Sequence, residues 1–455
     1  MNDEIQIVGG SEYFKHTTVN PLGLLALVVL GLCVLSMPRR WSVLPLLVMA
    51  CFVSSAQRIV ILGLDFDFLR LMVLFGVMRL ILRKEHLAFV WKPLDTIMVL
   101  WVSSNMLIYI FQQGTFAAAI NRLGFGFDAF GMYFLFRCLI RNWEDIDRLV
   151  IGGIILSIPV AAFFLLENRT GHNLFSIFGG VPAITVVREG RLRCQGAFSH
   201  AILAGCFWAS LMPLFAAYWW KGAKQKVWAV VGLTTSSIIV ICCASSTPVM
   251  GVIAGVIGGG MFLLRRQMRL VRWAIVLTLV GLHMVMQAPV WHLVSRVSAV
   301  GGSTGWHRYN LINQTIINFS DWWLTGCSGQ TVASWGIWAG DVTNQYILEG
   351  VRGGFLTQCL FVIVIAIAFR EVGKLWRCQI RHPYLLALSW AMGVSLFVHC
   401  MNFIGVSYFG QIIIIWYLLL AIIGSLSLQA GTSSTISKNK RYRILLPYGV
   451  SNEAS

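Results

Sequence analysis

The stretch REGRLRCQGAFSHAILAGCFWASLMPLFAAYWWKG, residues 188–222, decides the fold class. From Phe198 to Trp219 it is almost uninterrupted apolar sequence, long enough as a helix to cross a hydrocarbon core of about 30 Å. Lys221 closes one end, and Arg188, Arg191 and Arg193 precede the other. The whole chain repeats this pattern: 57% of its 455 residues are hydrophobic and only 12% charged, against roughly a quarter charged in a soluble domain. Alternating strands of the kind a membrane barrel needs are absent from the pattern, so the reading is an all-α polytopic membrane protein of about 12–13 transmembrane helices.

The apolar runs predict spans near 21–37, 42–56, 66–83, 94–112, 116–140, 148–167, 198–219, 226–243, 246–264, 272–289, 353–370, 383–401 and 405–428. Threaded this way, the basic clusters Arg39–Arg40, Arg83–Lys84–Lys92, Arg141–Arg148, Lys221–Lys224–Lys226, Arg265–Arg266–Arg269–Arg272 and Arg370–Lys374–Arg377–Arg381 share one face. The positive-inside bias makes that face cytoplasmic and puts the N-terminus, with Asp3, Glu4, Glu12 and Lys15, outside. The net charge of +17 is then a topology signal and an attraction to anionic lipid, with no nucleic acid implied. The first run is followed by MPRRW instead of a small-residue cleavage site, so it reads as a retained helix. The organisation is an N-terminal bundle over 1–289, which includes a smaller outer segment at about 168–197. A large outer loop over 290–352, C-terminal helices over 353–428 and a Ser/Thr-rich basic cytoplasmic tail over 429–455 complete it.

The outer segments carry the chemistry. In GWHRYNLINQTIINFSDWW, Leu311, Ile312, Ile316 and Phe319 are expected to share one face of a helix lying in the interface plane, with Trp306, Trp322, Trp323, Trp335 and Trp338 at headgroup depth or stacking on sugar. Arg188, Arg191, Arg193 and Arg308 lie outside, against the charge bias. A guanidinium fork matches phosphate oxygens, so these arginines suggest a phosphate-bearing ligand, the alternative being snorkelling to lipid headgroups. Arg58, Asp65, Asp67, Arg70, Arg122 and Asp128 sit near the outer helix ends, where ionisable groups are functional candidates; Asp67 and Arg70, one turn apart, could instead neutralise each other.

RLRCQGAFSHAILAG, HRYNLINQTIINFSDWWLTGCSGQ and DVTNQYILEGVRGGFLTQCLF, over about residues 185–370, resemble the O-antigen ligase and Wzy-type polysaccharide polymerase superfamily. The resemblance implies a glycosyltransferase of the bacterial inner membrane that takes glycan from a polyprenyl (undecaprenyl) diphosphate carrier at the periplasmic face. It implies no nucleotide sugar, metal or other cofactor, and as partners membrane lipids, a chain-length regulator and export machinery.

The residues fit such chemistry in their own right. Cleaving a bond between an anomeric carbon and a diphosphate builds negative charge on the leaving oxygen, which fixed guanidiniums stabilise. Arg191, Arg193 and Arg308 form the expected clamp, supported by Arg188, His200, Arg58, Arg70, Arg122 and Asn344, with Gly196 allowing close backbone approach. His307, Asp341, His200 and Glu349 are the candidate general bases. The superfamily's ligases carry a histidine before an Asn and an aromatic at the end of the outer loop. Here the stretch reads Thr343–Asn344–Gln345–Tyr346, which favours a polymerase joining carrier-linked repeat units for exopolysaccharide, capsule or O-antigen. A ligase-type transferase to lipid or protein, a lipid-linked glycan flippase, and a metal-dependent transferase using Asp65 and Asp67 are the rival readings. Cys194 and Cys327, in the two outer segments, are the candidates for a disulfide.

Overall fold

The structure is a computed structural model that describes residues 16–61, 63–296, 305–336 and 339–426. It is mostly helical. The helices are α1 (Pro21–Ser36), α2 (Leu44–Phe52), α3 (Phe68–Leu82), α4 (Pro93–Gln113), α5 (Phe116–Leu139), α6 (Trp143–Thr170), α7 (Ala201–Ala217), α8 (Ala223–Cys242), α9 (Ser246–Gly260), α10 (Met268–Val285), α11 (Gly305–Ile317), α12 (Phe319–Trp322), α13 (Gly329–Ser334), α14 (Gln345–Cys378), α15 (Pro383–Gly405) and α16 (Gly410–Leu426). Two short hairpins, β1 (Arg58–Ile61) with β2 (Leu64–Asp67) and β3 (Val187–Arg188) with β4 (Arg191–Leu192), both lie between helices. Among the described residues, 7 helical stretches are long and apolar enough to cross a membrane, and α1 and α16 are shorter apolar helices. The chain is a multi-pass membrane protein.

Local chemistry sets the helix ends. Asn142 and Asp145 cap α6 reciprocally, and α6 stops at Gly171, whose φ of +72° lets the chain turn away. Pro93 opens α4, and Gly114 at φ +58° ends it. The run expected at 42–56 contains an α-helix of only 9 residues, α2. Its length of about 14 Å is too short to cross alone. It is tolerated because it is packed inside the bundle against α1, α3 and α6, and because Gln411 donates from Nε2 to the Val53 carbonyl just beyond it. In contrast α10 has no buried residue, and its apolar side chains are left largely exposed by the rest of the bundle.

The basic connections gather at one end of the bundle, and part of their charge is structural. Arg137 and Asp95, both buried, pair at 2.8 Å; Tyr133 donates its hydroxyl to the same carboxylate, and Arg137 reaches Ser425 of α16. Arg39 joins Asp145 at 2.6 Å, and Arg79 joins Glu85 at 2.8 Å. Breaking one partner of a pair as buried as Arg137–Asp95 costs about 3–5 kcal/mol, so Arg137 locks α4, α5 and α16 together. The lysines and arginines expected after residue 429, and the acidic N-terminal residues, lie outside the described residues.

The far end holds the two outer segments and the most consequential departure from the expected spans. Instead of starting near 353, α14 starts at Gln345 and is interrupted at Gly354 (φ +70°, ψ 179°). The segment 322–327 crosses this break backbone to backbone. Cys327 N–H donates to the Val351 carbonyl and Phe355 N–H to the Trp323 carbonyl, both at 2.8 Å. A Cβ on Gly354 would lie 2.3 Å from the Leu324 carbonyl oxygen, and one on Gly326 2.2 Å from that of Val351. Only glycine permits both crossings. Residues 345–352 are therefore a buried half-helix inside the bundle, not the end of a loop.

Candidate functional site

The far end is built first from Glu167, which no motif or spacing singles out. It lies in the last turn of α6, fully buried, and its carboxylate accepts from the backbone N–H groups of Gln195 and Gly196 (3.1 Å each) and from the Thr185 hydroxyl (3.0 Å). With the bond from Asn173 to the Gly196 carbonyl (2.8 Å) and that from Gln411 to the Ala197 carbonyl (2.6 Å), this fixes the strand that follows the arginine hairpin. Gly196 has φ +58°, and a Cβ there would fall 2.5 Å from the Phe164 ring. Its close approach is thus to the protein's own core and not to a ligand.

The three arginines of the opening stretch divide. Glu189 and Gly190, both with positive φ, form the tip of the β3–β4 hairpin, where Arg188 and Arg191 are exposed and Arg188 lies 3.9 Å from Glu189. Arg193 turns inward, toward His200 and the Cys243 turn between α8 and α9. Its Nε is buried without a hydrogen-bond partner among the described residues. His200 caps α7: its Nδ1 accepts the Ile202 N–H at 3.2 Å, which leaves the proton on Nε2. Burial, together with Arg193 and Arg188, pulls its pKa down to about 4. It is a neutral donor and not a base.

Arg308 enters from the large segment. The buried face of α11 is Gly305, Arg308, Leu311 and Thr315, whereas Ile316, Ile317 and Phe319 are exposed. The expected apolar face is therefore divided: Leu311 and Ile312 pack on the protein, whereas Ile316 and Phe319 are exposed, and Arg308 and Thr315 find internal partners. Arg308 Nη2 donates to Thr247 Oγ1 at the start of α9 (2.8 Å), and its Cζ rests against Gly405 at the end of α15, where a Cβ would come within 3.3 Å. Burial lowers its pKa, as it does that of Arg193. Beside it, His307 Nε2 is buried and without a partner among the described residues. Trp322 and Trp335 are core residues of a small separate cluster with Leu311, Cys327, Val332, Ile347 and Val351, while Trp306 and Trp323 are exposed and Trp338 lies outside the described residues.

Below Arg308 a polar seam runs into the bundle. Asn402, with its Oδ1 unpartnered, donates to the Tyr408 hydroxyl (3.4 Å), which bonds His399 Nδ1 (2.8 Å). The Tyr408 N–H donates to Gln345 Oε1 (2.8 Å), and Gln345 Nε2 donates to Glu349 (2.7 Å). Glu349 also accepts from Trp101 and Asn105 (2.9 Å each). Arg122 bonds Asn105 Oδ1 at 3.1 Å, lies 4.1 Å from the Tyr109 ring centre and keeps a buried Nε without a partner; Arg352 is in electrostatic reach of both Arg122 and Glu349. Two guanidiniums thus face one carboxylate, a net positive charge within the first two turns of α5 and α14.

Other expected site residues are spent on structure. Asn344 caps α14 through Oδ1 (3.2 Å to Ile347 N–H) and holds the Ile404 carbonyl through Nδ2 (3.3 Å). Arg58 pairs with Asp65 at 2.7 Å, and Arg70 forks onto Asp128 at 2.8 Å, while Asp67 caps α3 on the Arg70 N–H instead of neutralising its side chain. Asp65 and Asp67 are likewise engaged, and no group of three or more His, Cys, Asp or Glu that could hold a metal occurs among the described residues. Asp341 is exposed in the loop entering α14. Cys194 and Cys327 do not pair: Cys327 belongs to the small cluster, and Cys194 faces Cys242. Of the residues not anticipated, His399 and Asn402 had a signal, since both are polar groups inside an apolar span; Glu167 and Tyr408 had none, and Arg352 was hidden in EGVRGG as one more basic residue. No family model matches the chain, and no curated protein matches it.

Proposed function

We propose that this protein is a glycosyltransferase of the bacterial inner membrane that polymerises polyprenyl diphosphate-linked repeat units, with its site at the periplasmic end of the bundle. The observation that carries the reading is the pair Arg193 and Arg308. Both are guanidiniums drawn inward from the two outer segments to the α7–α9 end. One has a buried Nε without a partner among the described residues, and the other spends one hydrogen bond on Thr247. A diphosphate leaving group develops charge during transfer, and donors fixed in a water-poor setting stabilise that charge in the transition state. His200 Nε2–H supplies a neutral donor beside Arg193. With Glu349 holding three donors and His200 Nδ1 used as a cap, His307 Nε2 and Asp341 are the groups free to take the acceptor proton. Arg188 and Arg191, exposed at the hairpin tip, serve as outer guides for the anionic carrier.

One observation favours a second reading. A helix broken inside the membrane bundle with ionisable groups on its half-helix, as α14 is at Gly354 with Glu349 and Arg352, is a feature of transporters, and a lipid-linked glycan flippase would use it. Glu349 and Arg352 lie within the first two turns of α14, at the same end of the bundle as Arg193 and Arg308, and this supports the transferase. The deciding experiment is purified protein in liposomes supplied with carrier-linked repeat units. Longer glycans on the carrier support the polymerase. Translocation without elongation replaces it with the flippase, and transfer to lipid A core in place of elongation replaces it with a ligase.

A further inference from the structure

Four cysteines, Cys194, Cys206, Cys242 and Cys243, are buried at the far end of the bundle, and two of them are held face to face. The Cys194 N–H donates to the Cys242 carbonyl at 3.1 Å. This bond brings the main chains of the two residues into direct contact, the kind of close approach that a disulfide requires. The side chains approach each other as well, each thiol lying within the other's electrostatic reach. Cys194 follows Arg193 directly, in the strand that Glu167 holds from the other side, and Cys242 ends α8. Cys327, the partner expected from its outer position, is packed with Trp322 and Trp335 in the separate cluster.

We propose that Cys194 and Cys242 form a disulfide that staples the Arg193 strand to the end of α8. The proposal rests on the outward orientation of this end, because an oxidising compartment is required. The reaction is thiol–disulfide exchange with a disulfide-bearing oxidant of that compartment. One cysteine thiolate attacks a sulfur of the oxidant, forming a mixed disulfide and releasing the first thiol; the second cysteine thiolate then attacks the cysteine sulfur of the mixed disulfide and releases the second thiol. Two cysteine protons pass to two released thiols, and the oxidant is reduced by two electrons. Both side chains are buried once the chain is folded, so the exchange belongs to assembly, before the strand docks. The bridge closes the loop that contains the whole of α7 and α8, a constraint on the unfolded state that an unlinked thiol pair lacks.

The test is made on the full-length protein in its own membrane. Cells are quenched in acid and dissolved in denaturant with maleimide, so that thiols buried in the fold are trapped too; the protein is then purified without reductant, and linked peptides are mapped by mass spectrometry. A linked 194–242 peptide, and a thermal midpoint several degrees lower after reduction, are expected. Maleimide on both Cys194 and Cys242 of the trapped wild-type protein overturns the proposal, as does a link from Cys194 to Cys243 or Cys327. Because the mapping uses the wild-type chain, it does not depend on a variant folding. Cys378, exposed at the basic end, reports orientation separately. If an impermeant maleimide labels it from outside, the topology has failed; if only a permeant one does and 194–242 is still unlinked, the staple alone has failed.

Discussion

Replacing Arg308 with Lys separates a phosphate fork from a headgroup anchor. A guanidinium carries five N–H donors in one plane. One of them is committed to Thr247 Oγ1 at 2.8 Å, and the Cζ lies flat against the α15 end at Gly405, so the remaining donors are offered in a fixed direction. An ammonium at the same place keeps the charge but has three donors on a single atom, and cannot hold Thr247 and bridge two phosphate oxygens together. Loss of one transition-state contact of this kind is worth about 3 kcal/mol, or roughly a hundredfold in rate. The ground-state cost, a weakened bond to a neutral hydroxyl, is about 1 kcal/mol. Elongation in liposomes should therefore fall about a hundredfold while thermal unfolding in detergent moves little. Arg193→Lys should behave alike, and Arg188→Lys and the basic-end Arg266→Lys should be close to wild type. Elongation by Arg308→Lys within about twofold of wild type refutes the fork and returns the outer arginines to the lipid headgroups.

Glu349→Gln leaves Arg122 and Arg352 facing each other without their carboxylate. The loss should be about 3–5 kcal/mol, read as poor accumulation and a lowered unfolding temperature, and Arg352→Met in the same chain should restore stability; a Glu349→Gln protein as stable as wild type would show that the carboxylate does not neutralise this pair. Acid should weaken the far end through His200. The unfolded imidazole takes up a proton near 6.5 and the folded one at about 4, so between these values the unfolded state binds more protons and stability falls as the pH drops through the window. His200→Asn, which keeps a capping acceptor, should flatten that part of the curve, and an unchanged slope would assign it to other groups.

The spans were legible because a membrane helix is an arithmetic of length and polarity, and each long apolar run expected from the sequence lies on a helix among the described residues. The shared face of the basic connections was legible for the same reason: loops of one charge sign must lie on one side, and Arg39, Arg79, Arg137 and Lys221 do gather at one end with Asp145, Glu85, Asp95 and Asp147. What composition could not reveal is which charges are already spent. Arg58, Arg70 and Arg193 look alike in sequence, yet the first two are neutralised by Asp65 and Asp128, and the third has no such carboxylate; the difference lies in partners brought in from other segments. Periodicity also did not reveal that Arg308 and Thr315 would join Leu311 on the buried face of α11, since their partners come from other segments or from the helix backbone. The break in α14, the half-helix carrying Glu349 and Arg352, and the Cys194–Cys242 contact all arise where two backbones cross or meet across long separations in the chain. Sequence by itself determined that the chain is a helical, multi-pass membrane protein and where its apolar helices lie, because hydrocarbon thickness acts on each segment separately. Which side chains meet at the far end is a property of packing between segments, and only the tertiary structure decided it.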